Sequence, residues 1–442
     1  MRLNRWLTGA LAIVVVLSLL LSACQSAPAP SAPAKAEAPS APAPAKAAEA
    51  PKAAEPAKPA EAKPAEAPKA EAKPAAKETY KIGGMFSLTG PIAAIGIEFR
   101  DSVVLEVDRI NAAGGVDGHQ IEMVIEDDGF DPTKGATALT KLIRQDKVLA
   151  VLGPLSSALE AAVRPVTERE QVPQILGHPT SAEMRAKKLQ WSFNTAFGEN
   201  VTAAGILDIL KDKGYKKVIA VAEAAPVYMS MVENLKADAA KEGIEVVVLA
   251  DNPNPKDVDV TPIATKLKDL AAKEKPQALV MATTLSGVPL AKTMKSLGMD
   301  LPMVGANTFG MQAYVDMAGD TWNGILFPAS KILAPDKLPD ADPQKAVILD
   351  FLKRYKAKTG KDLGMGVVTA GAPDAANILF NALKAGGSDK AKLRDAIEKT
   401  KNFVGVSGMF NYTPDDHEGL TKQSLAVYEI KDKKFSLVRA IK

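Results

Sequence analysis

From Thr79 to the C-terminus the chain keeps one rhythm: a short apolar run, a polar loop, then apolar residues at helical spacing. The first unit runs as a strand through Ile82 to Phe86, turns at Gly90-Pro91, and places Phe99, Val103, Val107 and Ile110 on one helical face. Gly114-Gly115 ends that helix. The pattern repeats as a strand from Ile121 to Glu126, a helix entered through Asp131-Pro132 as cap and first position, and a strand from Leu149 to Gly153. A second run begins near Tyr215, with strands Val218 to Ala222, Glu245 to Leu249, Ala278 to Thr283 and Pro302 to Gly305. Helices near 229–242, 262–274 and 287–297 separate them, and further helical patterns lie near 345–358, 373–385 and 390–400. Alternation of this kind predicts an α/β chain with two parallel, doubly wound sheets, hence two lobes with a cleft between them. At least one of the last three helices is expected to return to the first lobe.

Residues before Thr79 follow a different rule. Arg2 and Arg5 precede an apolar run from Trp6 to Leu21, and Ser22-Ala23-Cys24 follows, the order of a secretory signal. The run is short of the roughly 20 residues that cross a bilayer as a helix. Small residues followed at once by cysteine look like a bacterial lipobox, in which residues 1–23 are removed and Cys24 carries lipid. An ordinary cleaved signal with an incidental cysteine is the other reading; Cys24 is the only cysteine in the chain, so nothing can pair with it. From Ser26 to about Glu78 the sequence is almost entirely Ala, Pro, Lys, Glu and Ser, which offers nothing to bury, so residues 24–78 are expected to be a tether.

Formal net charge is +3, with both signs interspersed along the folded part, which argues against a nucleic-acid partner. His119, His178 and His417 lie far apart without metal-ligand spacing, and Asp415-Asp416-His417-Glu418 reads as a polar turn after Pro414. Nucleophile-elbow and phosphate-loop motifs do not occur in the globular part. Asp127-Asp128 invites an acid/base reading, but acids at a strand end commonly brace loops. The residues therefore predict neither an enzyme, nor a metal, nor a cofactor.

Three segments carry a family likeness: Ser87-Leu88-Thr89-Gly90-Pro91, then Ile110 to Gly118 (INAAGGVDG), then Glu126 to Pro132 (EDDGFDP). In order and spacing they resemble the periplasmic leucine/isoleucine/valine-binding proteins, and the likeness extends from Thr79 to the C-terminus. It implies a type I periplasmic binding fold: two Rossmann-like lobes joined by a three-strand hinge that closes on a ligand. The crossovers are expected near Phe197, near Phe327 and after Val404. Lobe 1 would then be 79–197 with about 328–404, and lobe 2 would be 198–327 with about 405–442.

The same resemblance implies site residues. The matching serine and threonine that hold a ligand carboxylate are Ser157 and Thr180, with backbone from His178. Ser156-Ser157-Ala158 opens a helix after a strand, where free N–H groups favour an anion, although Ser157 also reads as a plain helix N-cap. Amino-acid binders of the family place a Glu where this chain has Asn307, which removes the charge attraction for an ammonium. The ligand is thus an amino acid or an aromatic or short-chain organic acid, and Glu223, after the strand Val218 to Ala222, is the acid that can substitute. Ile95, Phe197, Tyr228 and Thr284 are the remaining expected wall residues, with Ile95 and Phe197 reading equally as core. The implied partners are the permease subunits of an ABC importer and, through Cys24, a bacterial membrane; a sensor that reports to a membrane kinase or chemoreceptor is the alternative. The protein is expected outside the cytoplasm and as a monomer.

Overall fold

A computed structural model describes residues 77–179, 190–254, 257 and 259–441. The signal, the tether, Cys24 and Thr180 lie outside the described residues. The first sheet holds five strands: β1 (Tyr80–Phe86), β2 (Ile121–Asp127), β3 (Val151–Leu152), β4 (Gln174–Leu176) and β5 (Ser192–Asn194). They run parallel in the order β2-β1-β3-β4-β5, with Tyr80 opposite Ile121 and Phe86 opposite Asp127. β1 is an interior strand, between β2 and β3, and its last five residues are buried, as a strand covered by helices on both faces must be.

Helix α1 (Ala93–Ala112) turns Phe99, Val103 and Val107 into the core. After it, the Asn111 side chain both donates to Ile121 O and accepts from Ile121 N, each at 2.8 Å, so it pairs like a short strand with the start of β2. Helix α2 (Pro132–Arg144) starts as the sequence predicts, with the Asp131 carboxylate accepting from Thr133 N and Lys134 N at 2.8 Å. Helix α3 (Ser157–Glu170) follows β3.

The second sheet contains β6 (Lys217–Ala222), β7 (Glu245–Val248), β8 (Ala278–Ala282), β9 (Met303–Gly305) and β10 (Leu326–Ser330). Helices α4 (Glu199–Asp212), α5 (Pro226–Lys241), α6 (Thr261–Glu274), α7 (Gly287–Ser296) and α8 (Gln312–Ala318) accompany them. Its parallel part has the order β7-β6-β8-β9-β10, the winding of the first sheet repeated. Two antiparallel strands extend it beyond the parallel pattern read from the sequence. β13 (Leu425–Lys431) pairs with β10 and β14 (Lys434–Ala440) pairs with β13. Their two-residue turn, Asp432-Lys433, has φ of 50° and 60°, the left-handed pair that fits a tight hairpin.

Helices α9 (Pro343–Thr359), α10 (Gly366–Thr369), α11 (Gly371–Gly386) and α12 (Lys390–Glu398) lie in sequence between β10 and the antiparallel strands of the second sheet, and α9 and α11 pack on α1. Ile348, Phe351 and Tyr355 share a buried cluster with Leu105, and the buried Glu106 carboxylate accepts from Arg109, Arg354 and Asn377. Phe327 lies inside β10 and is fully buried, so the chain leaves the second sheet only after Ser330, a few residues beyond the expected position. It crosses between lobes at 195–198, at 331–342, and again between the short β11 (Phe403–Val404) and β12 (Met409–Phe410) hairpin and β13. Asp374 ties the turn of the β11–β12 hairpin to α11: its carboxylate accepts from Val406 N (2.6 Å), Ser407 N (2.7 Å) and Ser407 Oγ (2.5 Å). Ser407 Oγ also reaches Thr195 O at 3.2 Å, and Thr195 Oγ1 donates to Gly371 O at 3.0 Å.

Candidate functional site

In a sheet wound 2-1-3-4-5 the chain leaves its first and third strands in opposite directions, and a crevice opens where their C-terminal ends part. Here that happens twice. In the first lobe the crevice lies between Ser87–Pro91 after β1 and Gly153–Ser157 after β3, with Gly177–Pro179 beside it after β4. In the second it lies between Glu223 after β6 and Thr283–Ser286 after β8, with Asn307 beside it after β9.

Ser156, not Ser157, caps α3: its extended backbone and its Oγ, which accepts from Leu159 N at 3.3 Å, mark it as the N-cap. Ser157 is the first helical residue, and among the described residues its hydroxyl reaches only Pro179 O, at a long 3.4 Å. That carbonyl also meets His178 Nδ1 at 2.9 Å, and the long Ser157 contact beside it is the weaker of the two. The plain-cap reading of Ser157 is thereby corrected, because the cap geometry belongs to its neighbour. Gly153, at φ +100°, has no room for a side chain: a Cβ there would sit 2.1 Å from Met85 O.

His178 is buried, and its carbonyl accepts from Asn194 Nδ2 at 2.7 Å, which leaves its N–H as the backbone group it can offer an anion. Its Nε2 lies 3.2 Å from Glu160 Oε2, while the other Glu160 oxygen accepts from Arg164. A carboxylate this close would favour an imidazolium, but burial outweighs it and the Arg164 charge adds to burial. Together they hold His178 down at about 4, so the ring is neutral at neutral pH.

The paired acids brace the first crevice. Asp127 accepts from Leu88 N (2.9 Å), Thr89 Oγ1 (2.7 Å), Gly129 N (2.9 Å) and Lys134 Nζ (3.0 Å). Burial opposes its charge, but these bonds prevail and keep it well below the usual carboxylate range. Asp128, fully buried and pushed up by that burial, accepts from Ser87 Oγ (2.5 Å) and Phe130 N (2.9 Å). Both carboxylates hold loops, which is the role read from the sequence. Ile95 is half-buried in the first turn of α1 against the core, and Phe197 is 4% exposed within it.

The second crevice brings Glu223 and Thr284 together. Glu223 is buried, and its Oε1 accepts from Thr284 Oγ1 at 2.5 Å. Its Oε2 accepts from Ser286 Oγ (2.5 Å), Thr284 N (3.0 Å) and Ser286 N (3.4 Å). Every one of these donors is neutral. Tyr228, in the first turn of α5, has its hydroxyl near Thr308, whose Oγ1 donates to Thr283 O at 2.7 Å. Burial first, and the nearby Glu223 charge second, push the hydroxyls of Tyr228 and Tyr314 above their ordinary range. Asn307 opens a single 3-10 turn, Asn307–Gly310, and is 7% exposed.

Ser286, Thr308 and Tyr314 belong to this polar group and were not expected from the sequence. Ser286 precedes the apolar pattern of α7 and Thr308 follows Asn307, so helix-start and neighbour signals pointed at both. Tyr314 had no signal, because it enters from α8.

One further piece reaches both lobes. Glu98 on α1 accepts from Gly364 N (2.7 Å), Met365 N (2.9 Å) and Thr369 Oγ1 (2.6 Å), which fixes α10 to the first lobe. The other side of α10 packs against the turn carrying Asn307, so closely that a Cβ on Gly310 would meet Val367 Cγ1 at 2.7 Å.

Elsewhere, the 415–418 turn closes with Asp416 Oδ1 accepting from Glu418 N at 2.9 Å, and His417 links Ser192 O (2.9 Å) to Glu398 Oε1 (3.0 Å). Among the described residues no cluster of three His, Cys, Asp or Glu residues could hold a metal ion, and no helix is long and apolar enough to cross a membrane.

Residues 79–434 match the family model of the periplasmic binding proteins. The leucine-, isoleucine-, valine-, threonine- and alanine-binding protein of Pseudomonas aeruginosa is 26% identical over 361 residues, covering 80% of this chain and 90% of that protein. Leu/Ile/Val-binding protein homolog 3 of Brucella melitensis is 25% identical, covering 77% of this chain and 88% of the relative. Among solved structures, the branched-chain amino acid transporter substrate-binding protein of Streptococcus pneumoniae in complex with isoleucine aligns at a TM-score of 0.66 and 26% identity, over 82% of this chain and 99% of that one. An extracellular ligand-binding receptor from Rhodopseudomonas palustris aligns at 0.71 with 20% identity, over 82% and 99%, a likeness of fold. With a match spanning both lobes and both crevices, the chain belongs to the periplasmic binding protein family, extracytoplasmic solute-binding proteins rather than enzymes, and the curated relatives it matches are Leu/Ile/Val-binding proteins.

Proposed function

We propose that this protein captures a small carboxylate-bearing solute between its lobes and delivers it to the permease of an ABC importer, held to a membrane by lipid on Cys24. The observation that carries the reading is Ser157: a hydroxyl released from capping, at the N-terminus of α3, where helix N–H groups and dipole favour an anion. Thr180 and the His178 N–H complete this end of the ligand site. At the far end Asn307 and Glu223 meet the ligand, with Tyr228 and Thr284 beside them and Ile95 and Phe197 as walls. Asn307 supplies a neutral amide, and Glu223 supplies a carboxylate satisfied by neutral donors, which together suit a hydroxyl or an ammonium on the ligand. Lobe closure turns on the three passages, the first of which is held to the hairpin turn and α11 by the Thr195, Ser407 and Asp374 bonds.

Isothermal titration against amino acids and small organic acids tests the ligand class, with one-to-one binding expected for at least one carboxylate. Silence across the whole panel would sink it. For the anchor, cells fed an alkyne fatty acid should label the protein, and Cys24→Ser should abolish the label; a label that survives would place the lipid elsewhere.

A further inference from the structure

Because β7-β6-β8-β9-β10 repeats the winding of β2-β1-β3-β4-β5, each strand end in one lobe has a counterpart in the other. Ser156 and Ser157 open the helix after β3; Ser286 and Gly287 open the helix after β8. Ser87 follows β1, and Glu223 follows β6. A helix N-terminus at such a point gathers unpaired N–H groups and the positive end of the helix dipole.

In the second lobe an anion is already seated there. The Glu223 carboxylate takes the N–H groups of Thr284 and Ser286 at 3.0 and 3.4 Å and both their hydroxyls at 2.5 Å. Ser286 occupies the N-cap position of α7 yet makes no cap bond to its own helix, because its hydroxyl is turned to Glu223. In the first lobe the equivalent residue, Ser87, donates its hydroxyl to Asp128 instead. Among the described residues no carboxylate accepts from the first N–H groups of α3. The two like-wound crevices therefore differ at the helix that follows the third strand: in the second lobe a carboxylate of the chain itself is bonded at its start, and in the first the Asp127 and Asp128 carboxylates are taken up by other loops.

We propose that Glu223 is a built-in occupant of the second lobe's anion site and thereby fixes the charge type of the ligand. The cleft takes one carboxylate, on the Ser157 side, and refuses a solute whose far end bears a second. This inference rests on the carboxylate reading of Ser157. A neutral or cationic far end is accepted; a dicarboxylate meets an uncompensated negative charge that occupies the N–H groups it would need.

The test is titration of the mature chain in detergent with matched pairs: pentanoate and glutarate, norvaline and glutamate, 4-methylbenzoate and terephthalate. In the wild type the monocarboxylate of at least one pair should bind roughly 100-fold tighter than its dicarboxylate partner. Glu223→Gln, which keeps the shape and removes the charge, should narrow that ratio about tenfold, and Glu223→Ala, which also clears the N–H groups, should narrow it further. A wild type that binds a dicarboxylate as tightly as its partner overturns the proposal without any variant, which covers the case of a variant that does not fold. Monocarboxylate binding with ratios unchanged in both variants overturns the proposal and leaves the carboxylate reading standing. No binding of any of the six probes to the wild type overturns both.

Discussion

Asp374 offers the sharpest quantitative prediction, because it is a carboxylate 1% exposed that accepts three hydrogen bonds, all from neutral donors. Burial pushes it up to about 6, against the opposing bonds from Ser407 and Val406, and the charge of Glu106 adds to the rise. The folded state therefore keeps this proton up to about pH 6, while the unfolded chain releases it near the ordinary 3.8. Between those values the folded state binds more protons, so stability falls as pH rises. Roughly two pH units at about 1.4 kcal/mol each give about 3 kcal/mol, fully present below pH 4 and lost above pH 6. His178 acts in the opposite sense over an overlapping window, since burial holds it at about 4 and its stabilisation is lost as pH falls from its usual 6.5. A single denaturation curve would mix the two. Urea unfolding of wild type and Asp374→Asn in parallel, from pH 4 to pH 7.5, cancels His178 in the difference. The wild type should lose about 3 kcal/mol relative to the variant as pH rises across that range. A difference that stays flat, or that grows in favour of the wild type, would refute the account of Asp374 as a carboxylate kept protonated by burial.

Ser157→Ala should weaken carboxylate binding by about 1 to 3 kcal/mol, read by titration, whereas Ser156→Ala should instead cost about 1 kcal/mol of stability through the lost cap. If the two variants exchange these effects, the cap assignment is wrong. Asn307→Glu should raise affinity for amino acids relative to the 2-hydroxy acids of the same skeleton; no gain for any amino acid would show that position 307 does not face the ligand. The His178 imidazole should show no NMR titration between pH 8 and pH 5, and a midpoint near 6.5 would contradict its burial as the controlling effect. Gly153→Ala should cost at least about 3 kcal/mol, since the residue combines φ +100° with a backbone oxygen where its Cβ would lie, and an unchanged urea midpoint would count against that geometry.

Much of the architecture could be read from the chain because its periodic segments are long. α1 and α2, with the Asp131 cap and the Gly114-Gly115 stop, announce themselves through spacing and punctuation that local physics enforces. β4 and β5, three residues each, carry no such period and owe their existence to neighbours in the sheet. The β13–β14 hairpin was equally silent, since its turn is Asp432-Lys433 where a glycine would have signalled left-handed backbone. At the site, motif position was enough to bring Glu223 and Thr284 into one crevice, yet it could not say that they bond to each other. Nor could it choose between Ser156 and Ser157 as the cap, because both types suit that place and only backbone angles decide. Tyr314 arrives from a helix whose packing no local pattern describes.

The helical piece gripped by Glu98 has a mechanical consequence. It belongs by its hydrogen bonds to one lobe and by its packing to the turn that bears Asn307 in the other, so it works as a wedge seated under one wall of the cleft. Under the hinge closure proposed above, Val367 slides across the bare surface of Gly310. Glycine at 310 is then the clearance in a bearing: a side chain there would meet Val367 at 2.7 Å and Leu333 at 2.9 Å and leave that surface nowhere to seat.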